Sequence, residues 1–399
     1  MRVLVVGGGI AGSATALGLH KAGLDVTVLE AHPDTAEDIG AFLTLGSNGM
    51  RALAELDATD AVTAVGFPLT SLRLLDDQGT EVAHTPLGEA DDPVLRYRCL
   101  RRGALNAALQ AEAVRRGVPL RHGVRLVSVA QGPDGVTARC ADGTTVTADL
   151  LVGADGLHST VRRLVLPGVR PVYAGQRVYY GYTAAAPGTA PAPGPDGAIT
   201  MVRGSATAFG YAVSPAGETY WFARAGGEPL PTGASAEQSA EPSAGPPADP
   251  RERLLALLRA DATPAAALVG AAGAVMVTNA TELPLGASWH AGRVLLVGDA
   301  AHAASPATGQ GASMALEDAV VLAKALRDLR EPAAAYAAYE RHRRPRAEHN
   351  ITVSGGLSRG TRAPSGPAPV VARPAGPDER LLAQLAWDTP LSAVPPEPR

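Results

Sequence analysis

The first thirty residues constrain this chain more than any other stretch. Residues 3–30 read VLVVGGGIAGSATALGLHKAGLDVTVLE: an apolar strand, spaced glycines, a helix carrying small residues, and a second strand ending in an acid. Gly7 permits a tight turn, Gly9 lets a phosphate approach the backbone, and Gly12 lets helix and strand pack closely. The free N–H groups and partial positive charge at the helix N-terminus suit a pyrophosphate. Glu30, 18 residues beyond Gly12, is placed to accept hydrogen bonds from ribose hydroxyls. A carboxylate there repels a 2′-phosphate, so the nucleotide expected is FAD or NAD rather than NADP. GxGxxG alone is a weak signal, but here strand, turn, helix, second strand and acid are all in place.

Two later stretches choose between those nucleotides. Residues 150–163, LLVGADGLHSTVRR, run from an apolar strand into Asp155-Gly156. Residues 293–318, RVLLVGDAAHAASPATGQGASMALED, form another apolar strand ending in Gly298-Asp299. A loop with Pro306, Gly309 and Gly311 follows, and then a long helix. An Asp at a strand's carboxyl edge can bond a polyol hydroxyl, and a glycine-rich loop opening a helix offers N–H groups to an electron-rich ring edge. NAD has neither a ribityl chain nor an isoalloxazine for such a second site. FAD has both.

On these residues the chain resembles the group A flavoprotein monooxygenases, the para-hydroxybenzoate-hydroxylase-like aromatic hydroxylases. The resemblance covers most of residues 1–350 and rests on three motifs in register: Gly7, Gly9, Gly12 with Glu30; Gly153-Ala154-Asp155-Gly156 with Ser159 and Arg162; and Gly298-Asp299 with Pro306, Gly309 and Gly311. It implies that Asp299 holds the ribityl chain, that Asp155 serves a motif linked to both FAD and NAD(P)H, and that backbone groups from Pro306 to Gly311 face the flavin ring. An Arg before a Leu-x-x-x-Leu helix contacts FAD in this family; Arg102 with Leu105 and Leu109 fits, Arg101 being the alternative register. A strand residue near Leu126 is implied to meet the adenine through its backbone. The implied activity is a single-component, NAD(P)H-consuming monooxygenase in which O₂ adds at the flavin C4a carbon and one oxygen atom enters a small organic substrate. A flavin oxidoreductase of the same fold without oxygen insertion is the alternative. NADH or NADPH is expected as a transient co-substrate, since no second GxGxxG is present. No residue is assigned an acid or base role.

The 399 residues suit two or three domains, and the net charge of −4 argues against a protein built to neutralise phosphate backbones. Nine histidines form no ligand pattern, so no metal is expected. The two cysteines, Cys99 and Cys140, lie outside any CxxC spacing and point to a reducing compartment. No signal peptide is read, and the longest run of low polarity, Ala265 to Val277, is too short to span a bilayer; a cytoplasmic protein is expected. The basic run from Arg341 to Arg346 reads as a solvated helix end. His302 reads as structural, and His158 as a surface residue.

The fold class expected is α/β, a Rossmann-like FAD-binding domain interleaved with a smaller mixed-sheet substrate domain, plus a C-terminal helical tail. Residues 1–68, 98–171 and 281–350 are assigned to the first, 69–97 and 172–280 to the second, and 351–399 to the tail, with one short helix from Glu379 to Ala386. Strands are expected at Thr70–Leu75, Val136–Cys140 and Thr219–Ala223, and mobile loops at 184–197, at 226–250 and after about residue 360. Nine of the sixteen aromatic residues fall within 173–222. They read either as a sheet core or as the wall of a pocket for a flat substrate, and Tyr180, Tyr182, Tyr211 and Trp221 are the pocket candidates. An aromatic or polycyclic substrate is expected, with no nucleic-acid or membrane partner.

Overall fold

The computed structural model describes residues 1–37, 40–89, 91–184, 197–231, 249–360 and 378–391. The expected loops at 184–197 and 226–250 and the run after residue 360 fall largely outside the described residues. The strands and the short helix expected from sequence are present as Ser71–Leu75, Gly135–Cys140, Thr219–Gly226 and Glu379–Leu385.

A six-stranded sheet runs in the order His290–Ala291, Val294–Leu296, Leu150–Gly153, Arg2–Val6, Asp25–Leu29, Leu120–Arg121, with every pairing parallel except the first. Its inner strands are apolar at nearly every position because helices and a three-stranded antiparallel sheet of Leu126–Gly132, Gly135–Cys140 and Thr145–Ala148 pack against them. The three strands that introduce the glycine motifs are immediate neighbours: Val6 pairs with Gly153, and Gly153 with Leu296. Parallel pairing therefore brings three turns, distant in sequence, to the same carboxyl edge. Helix Ile10–Lys21 lies against helix Gly311–Asp328, and Gly18 makes this possible, since a Cβ there would come within 2.9 Å of the Ala319 carbonyl oxygen.

A seven-stranded mixed sheet is built from Val275–Glu282, Val172–Thr183, Thr219–Gly226, Ala208–Val213, Ala198–Arg203, Ser71–Leu75 and Glu81–Pro86, in that spatial order. All its pairings are antiparallel except Ala198–Arg203 with Ser71–Leu75. Helices Pro250–Leu258 and Ala265–Ala271 cover its back face. Its front face turns towards a small sheet of Phe42–Leu45, Tyr97–Arg101 and Phe67–Leu69, and so towards the glycine turns.

The long helix Pro332–Arg359 corrects one expectation. The basic run does not end a helix in solvent; it lies mid-helix, Pro345 included, with Arg343 fully buried. The reason is electrostatic. Arg343 donates to Asp318 Oδ1 at 2.8 Å and to Glu317 Oε2 at 2.5 Å, and Arg346 donates to Glu317 at 2.9 and 3.0 Å. Two carboxylates buried in the neighbouring helix thus draw two arginines inward. The helix also runs through position 350, where the sequence placed the start of a tail.

The C-terminal segment docks on the same region. Lys324 donates at 2.6 Å to the carbonyls of both Gln384 and Ala386, and the Trp387 ring lies between Lys21 at 4.8 Å and Arg327 at 5.0 Å. Removing Arg343 takes a fully buried counter-charge from both carboxylates at once, so Arg343→Ala is expected to cost about 3–5 kcal/mol. Thermal unfolding of the purified variant against the parent measures it.

Candidate active site

The glycine turn is built around steric necessity. Gly7 has φ +103°, and a Cβ there would stand 2.6 Å from the Ala154 carbonyl oxygen. A Cβ on Gly12 would stand 1.8 Å from the Gly7 carbonyl oxygen, so only glycine allows the helix to start so close to the strand. Gly9, the N-cap of helix Ile10–Lys21, faces open space instead, with nothing nearer its Cβ position than Asn106 Oδ1 at 4.0 Å. That cradle, lined by unpaired helix N–H groups, matches a pyrophosphate. Glu30 is held beside it by the N–H groups of Gly8 and His32, both donating at 2.6 Å. A carboxylate offers about four acceptor sites, so capacity for ribose hydroxyls is left. The backbone flanking Glu30 is Arg121 to Val124, through bonds of 2.9 and 2.8 Å, while the Leu126 side chain is buried in the core.

The second turn is directed inward. Asp155 accepts from the N–H groups of Thr160 at 2.6 Å and Val161 at 3.0 Å and from the Ser159 hydroxyl, and so caps helix Thr160–Val165. Its oxygens are engaged within the loop, which makes Asp155 a positioning residue. Arg162, buried beside it, donates to the Ala300 carbonyl at 2.9 Å and ties the second turn to the third.

The third turn holds its carboxylate free. Gly298 takes φ +56° and ψ −141°, a conformation open to glycine, and delivers Asp299 at the start of helix Asp299–His302. Asp299 is half-buried and makes no hydrogen bond or ion pair among the described residues. Its Oδ1 is 3.9 Å from the Cβ position of Gly311, the first residue of helix Gly311–Asp328, whose N-terminus has no side-chain cap. An unpartnered carboxylate beside an open helix N-terminus fits a polyol chain leading to a ring rich in acceptors. Pro306 opens a short 3₁₀ turn, and Gly309 leaves it with φ +66°. The turn is pinned to the long helix by Thr308 Oγ1 donating to Asn350 Oδ1 at 2.8 Å and by the Ser305–Ser358 hydroxyl contact at 2.7 Å.

Beneath this turn lies a polar network that the sequence reading missed. Asp318 accepts from the Gly298 N–H at 3.0 Å, from His302 Nε2 at 2.5 Å and from Arg343 at 2.8 Å. His302 is thus structural, as read, and His158 is exposed, as read. Burial pushes the Asp318 carboxyl up, but His302 and Arg343 outweigh it and hold it at about 2. The signal was present in the sequence: Glu317-Asp318 interrupts an otherwise apolar helix face and calls for buried cations.

Of the two candidate arginines, Arg101 is engaged. It donates to both oxygens of Glu218 at 2.9 and 2.8 Å and stacks over Tyr182 at 4.1 Å. Arg102 opens helix Arg102–Arg115 with its side chain exposed and without a partner among the described residues.

The aromatic residues divide by strand alternation, which corrects two of the four pocket candidates. Trp221 and Tyr211 point to the back face. Trp221 stacks on Phe209 at 5.8 Å, donates to Thr183 Oγ1 at 3.0 Å and packs with Leu254, Leu258 and Leu268, and Tyr211 joins the same cluster. Tyr180 and Tyr182 point to the front, and the residues the sequence reading left out are Tyr220 and Phe222, one position on either side of Trp221. Tyr182 and Tyr220 meet edge-on at 5.0 Å, and Phe42 approaches Tyr220 at 5.7 Å and Phe222 at 6.1 Å. A cavity of about 230 Å³ lies between Tyr182 of the sheet and the start of helix Arg102–Arg115, lined by Glu37, Gly40, Arg101, Gly103, Ala104 and Tyr182.

The family model described as an FAD binding domain matches residues 1–354, and the chain belongs to that family, the FAD-dependent monooxygenases of the para-hydroxybenzoate-hydroxylase type. FAD is its cofactor, and NAD(P)H its electron donor. It is 32% identical to the aurachin C monooxygenase/isomerase of Stigmatella aurantiaca, over 89% of this chain and 88% of that one. It is 32% identical to a 3-amino-4-hydroxybenzoate 2-monooxygenase of Streptomyces platensis, over 99% and 97%. Among solved structures, HpxO of Klebsiella pneumoniae with FAD and uric acid superposes with a TM-score of 0.76 at 26% identity, covering 90% of this chain and 89% of that one.

Two measurements test the geometry. Asp299→Ala and Glu30→Ala are each expected to weaken FAD binding about tenfold or more, the loss of a charge-assisted bond, whereas His158→Ala keeps parental affinity; flavin titration of the apoprotein reads all three. The second is acid stability. Asp318 is lowered from 3.8 to about 2, so its contribution is fully present above pH 4 and is lost as pH falls towards 2. Parent unfolding should steepen in that window, and Asp318→Asn should flatten the profile while lowering stability at neutral pH.

Proposed function

We propose that the chain inserts one atom of O₂ into an aromatic or polycyclic small molecule held between the third turn and the front face of the seven-stranded sheet. The observation that carries this reading is the aromatic wall of Tyr180, Tyr182, Tyr220 and Phe222, turned towards the edge where the three glycine turns converge. Relatives that act, by their names, on 3-amino-4-hydroxybenzoate and on urate support a flat substrate.

Bound FAD, reduced by NAD(P)H, supplies the oxygen activation. The chain's own residues do the rest. Gly7, Gly9, Gly12 and Glu30 hold the adenosine and pyrophosphate end, with Arg102 and the backbone near Leu126 as further contacts. Asp299 orients the ribityl chain, and the backbone of Pro306, Gly309 and Gly311 meets the ring. Asp155 and Gly298 set the turns that place these groups. The aromatic wall orients the substrate and excludes water from the reacting face. We assign the six-stranded unit to the cofactor and the seven-stranded unit to the substrate. No helix among the described residues is long and apolar enough to cross a membrane, and both cysteines are free and buried, which supports a reducing, cytoplasmic setting.

The test is a panel of planar aromatics against the FAD-loaded enzyme, following NAD(P)H oxidation and isotopic oxygen in the product. A substrate should accelerate NAD(P)H oxidation and acquire one labelled atom; oxidation yielding only hydrogen peroxide across the panel would sink the reading. Phe222→Ala, which opens the wall, is expected to keep NAD(P)H oxidation within a few fold while product per NAD(P)H drops and peroxide rises.

A further inference from the structure

One corner of the seven-stranded sheet gathers shielded oxygens that serve nothing described so far. There the turn joining Ala198–Arg203 to Ala208–Val213 meets the loop between helices Pro250–Leu258 and Ala265–Ala271. Asp261 of that loop accepts at Oδ1 from the Ser205 N–H at 3.1 Å and from the Ser205 hydroxyl. Its Oδ2 is shielded from solvent and has no hydrogen-bond partner. Thr207, only 6% exposed, likewise has a shielded hydroxyl without a partner. A third such hydroxyl belongs to Thr263, two residues past Asp261. The Ala262 N–H donates to the Asp77 carbonyl at 2.8 Å and brings the hairpin of Ser71–Leu75 and Glu81–Pro86 to the same corner.

Three of the oxygens converge over Gly204. A Cβ there would stand 2.3 Å from Asp261 Oδ2, 2.9 Å from the Thr207 carbonyl oxygen and 3.3 Å from the Thr207 hydroxyl. A carboxylate, a carbonyl and a hydroxyl thus face one small space beside a residue with no side chain to fill it. No lysine, arginine or histidine pairs with Asp261 among the described residues. Shielded polar atoms without partners mark the place of an ion or an ordered water. Oxygens of these three kinds are the ligands of hard cations. No three His, Cys, Asp or Glu side chains gather among the described residues, so a zinc-type ion has no ligand set. One carboxylate among neutral oxygens balances a single positive charge.

We propose that Asp261 and Thr207 bind a monovalent cation, sodium or potassium, which clamps the helices on the back of the sheet to the turn between Arg203 and Ala208. The ion takes Asp261 Oδ2 and the carbonyl and hydroxyl oxygens of Thr207, while Ser205 holds the other carboxylate oxygen in place. Phe209, two residues past Thr207, stacks on Trp221 within the back cluster, so the ion fixes that strand where it enters its core. The site shares no residue with the glycine turns or the aromatic wall. Its effect falls on the stability of the sheet, whatever chemistry the front face supports.

The experiment melts the FAD-loaded enzyme in sodium, potassium, tetramethylammonium or calcium chloride at equal ionic strength, tetramethylammonium being too large for the space. The parent should melt about 2 °C or more higher in sodium or potassium than in tetramethylammonium, because an ion that binds only the folded chain stabilises it by mass action. Asp261→Asn should erase that difference. Thr207→Val keeps the shape and removes the hydroxyl. It should melt no lower than the parent in tetramethylammonium and lose at least half of the rise in the small ions. A hydroxyl of purely structural use would instead lower melting equally in every salt. Equal melting of the parent in sodium, potassium and tetramethylammonium means an ordered water only and overturns the proposal. So does an undiminished rise in either variant, or stabilisation by calcium with none by sodium or potassium. If Asp261→Asn fails to fold, Thr207→Val decides alone.

Discussion

The structure depends on parallel pairing among three short strands, Arg2–Val6, Leu150–Gly153 and Val294–Leu296. Each is too short to be stable alone, and each ends in a turn that needs glycine. Side by side and in the same direction, they place three turns on one edge, where ligands of open α/β sheets bind. Contact between the turns is close: the first cannot carry a Cβ because of the second, and Gly298 of the third lies against Ala11 of the first helix. One extended cofactor can then be gripped at its ends and middle by residues nearly three hundred positions apart.

That edge rests on buried charge. Asp318 holds the Gly298 N–H, His302 and Arg343 at once, and Glu317 holds Arg343, Arg346 and Asn48. Paired ions in an interior gain little over apolar packing, but breaking one partner away is strongly destabilising. Such a network tolerates few alternative arrangements, which suits a turn that must present Asp299 and the neighbouring N–H groups in fixed positions. Arg224, on strand Thr219–Gly226, is the counterexample within the same molecule: an interior cation with no counter-charge among the described residues.

The cofactor half was legible because glycine spacing, strand apolarity and terminal acids are local signals, and Gly7, Gly12 and Asp299 stand where their spacing put them. The substrate half was legible as a sheet but not by face. The runs Tyr179-Tyr180 and Tyr220-Trp221-Phe222 each place an aromatic residue on both sides of a strand, so composition could not separate Tyr220 and Phe222 from Trp221; only the helices on the back face decide. The Arg341–Arg346 run misled for a related reason: its partners Glu317 and Asp318 are on another helix, and sequence proximity carries no trace of them. Asp155 followed its motif but spends its oxygens on the local helix cap.

The interleaving also governs how the molecule is made. The sheet begun by residues 2–6 gains its last parallel member only at 294–296, and its covering helix ends at Asp328. A nascent chain emerging from the ribosome therefore carries an apolar, incomplete nucleotide fold until most of the polypeptide exists. Contacts this remote in sequence close slowly, so assembly of the cofactor cradle is a late event in biosynthesis, and the intervening seven-stranded unit has time to collapse first.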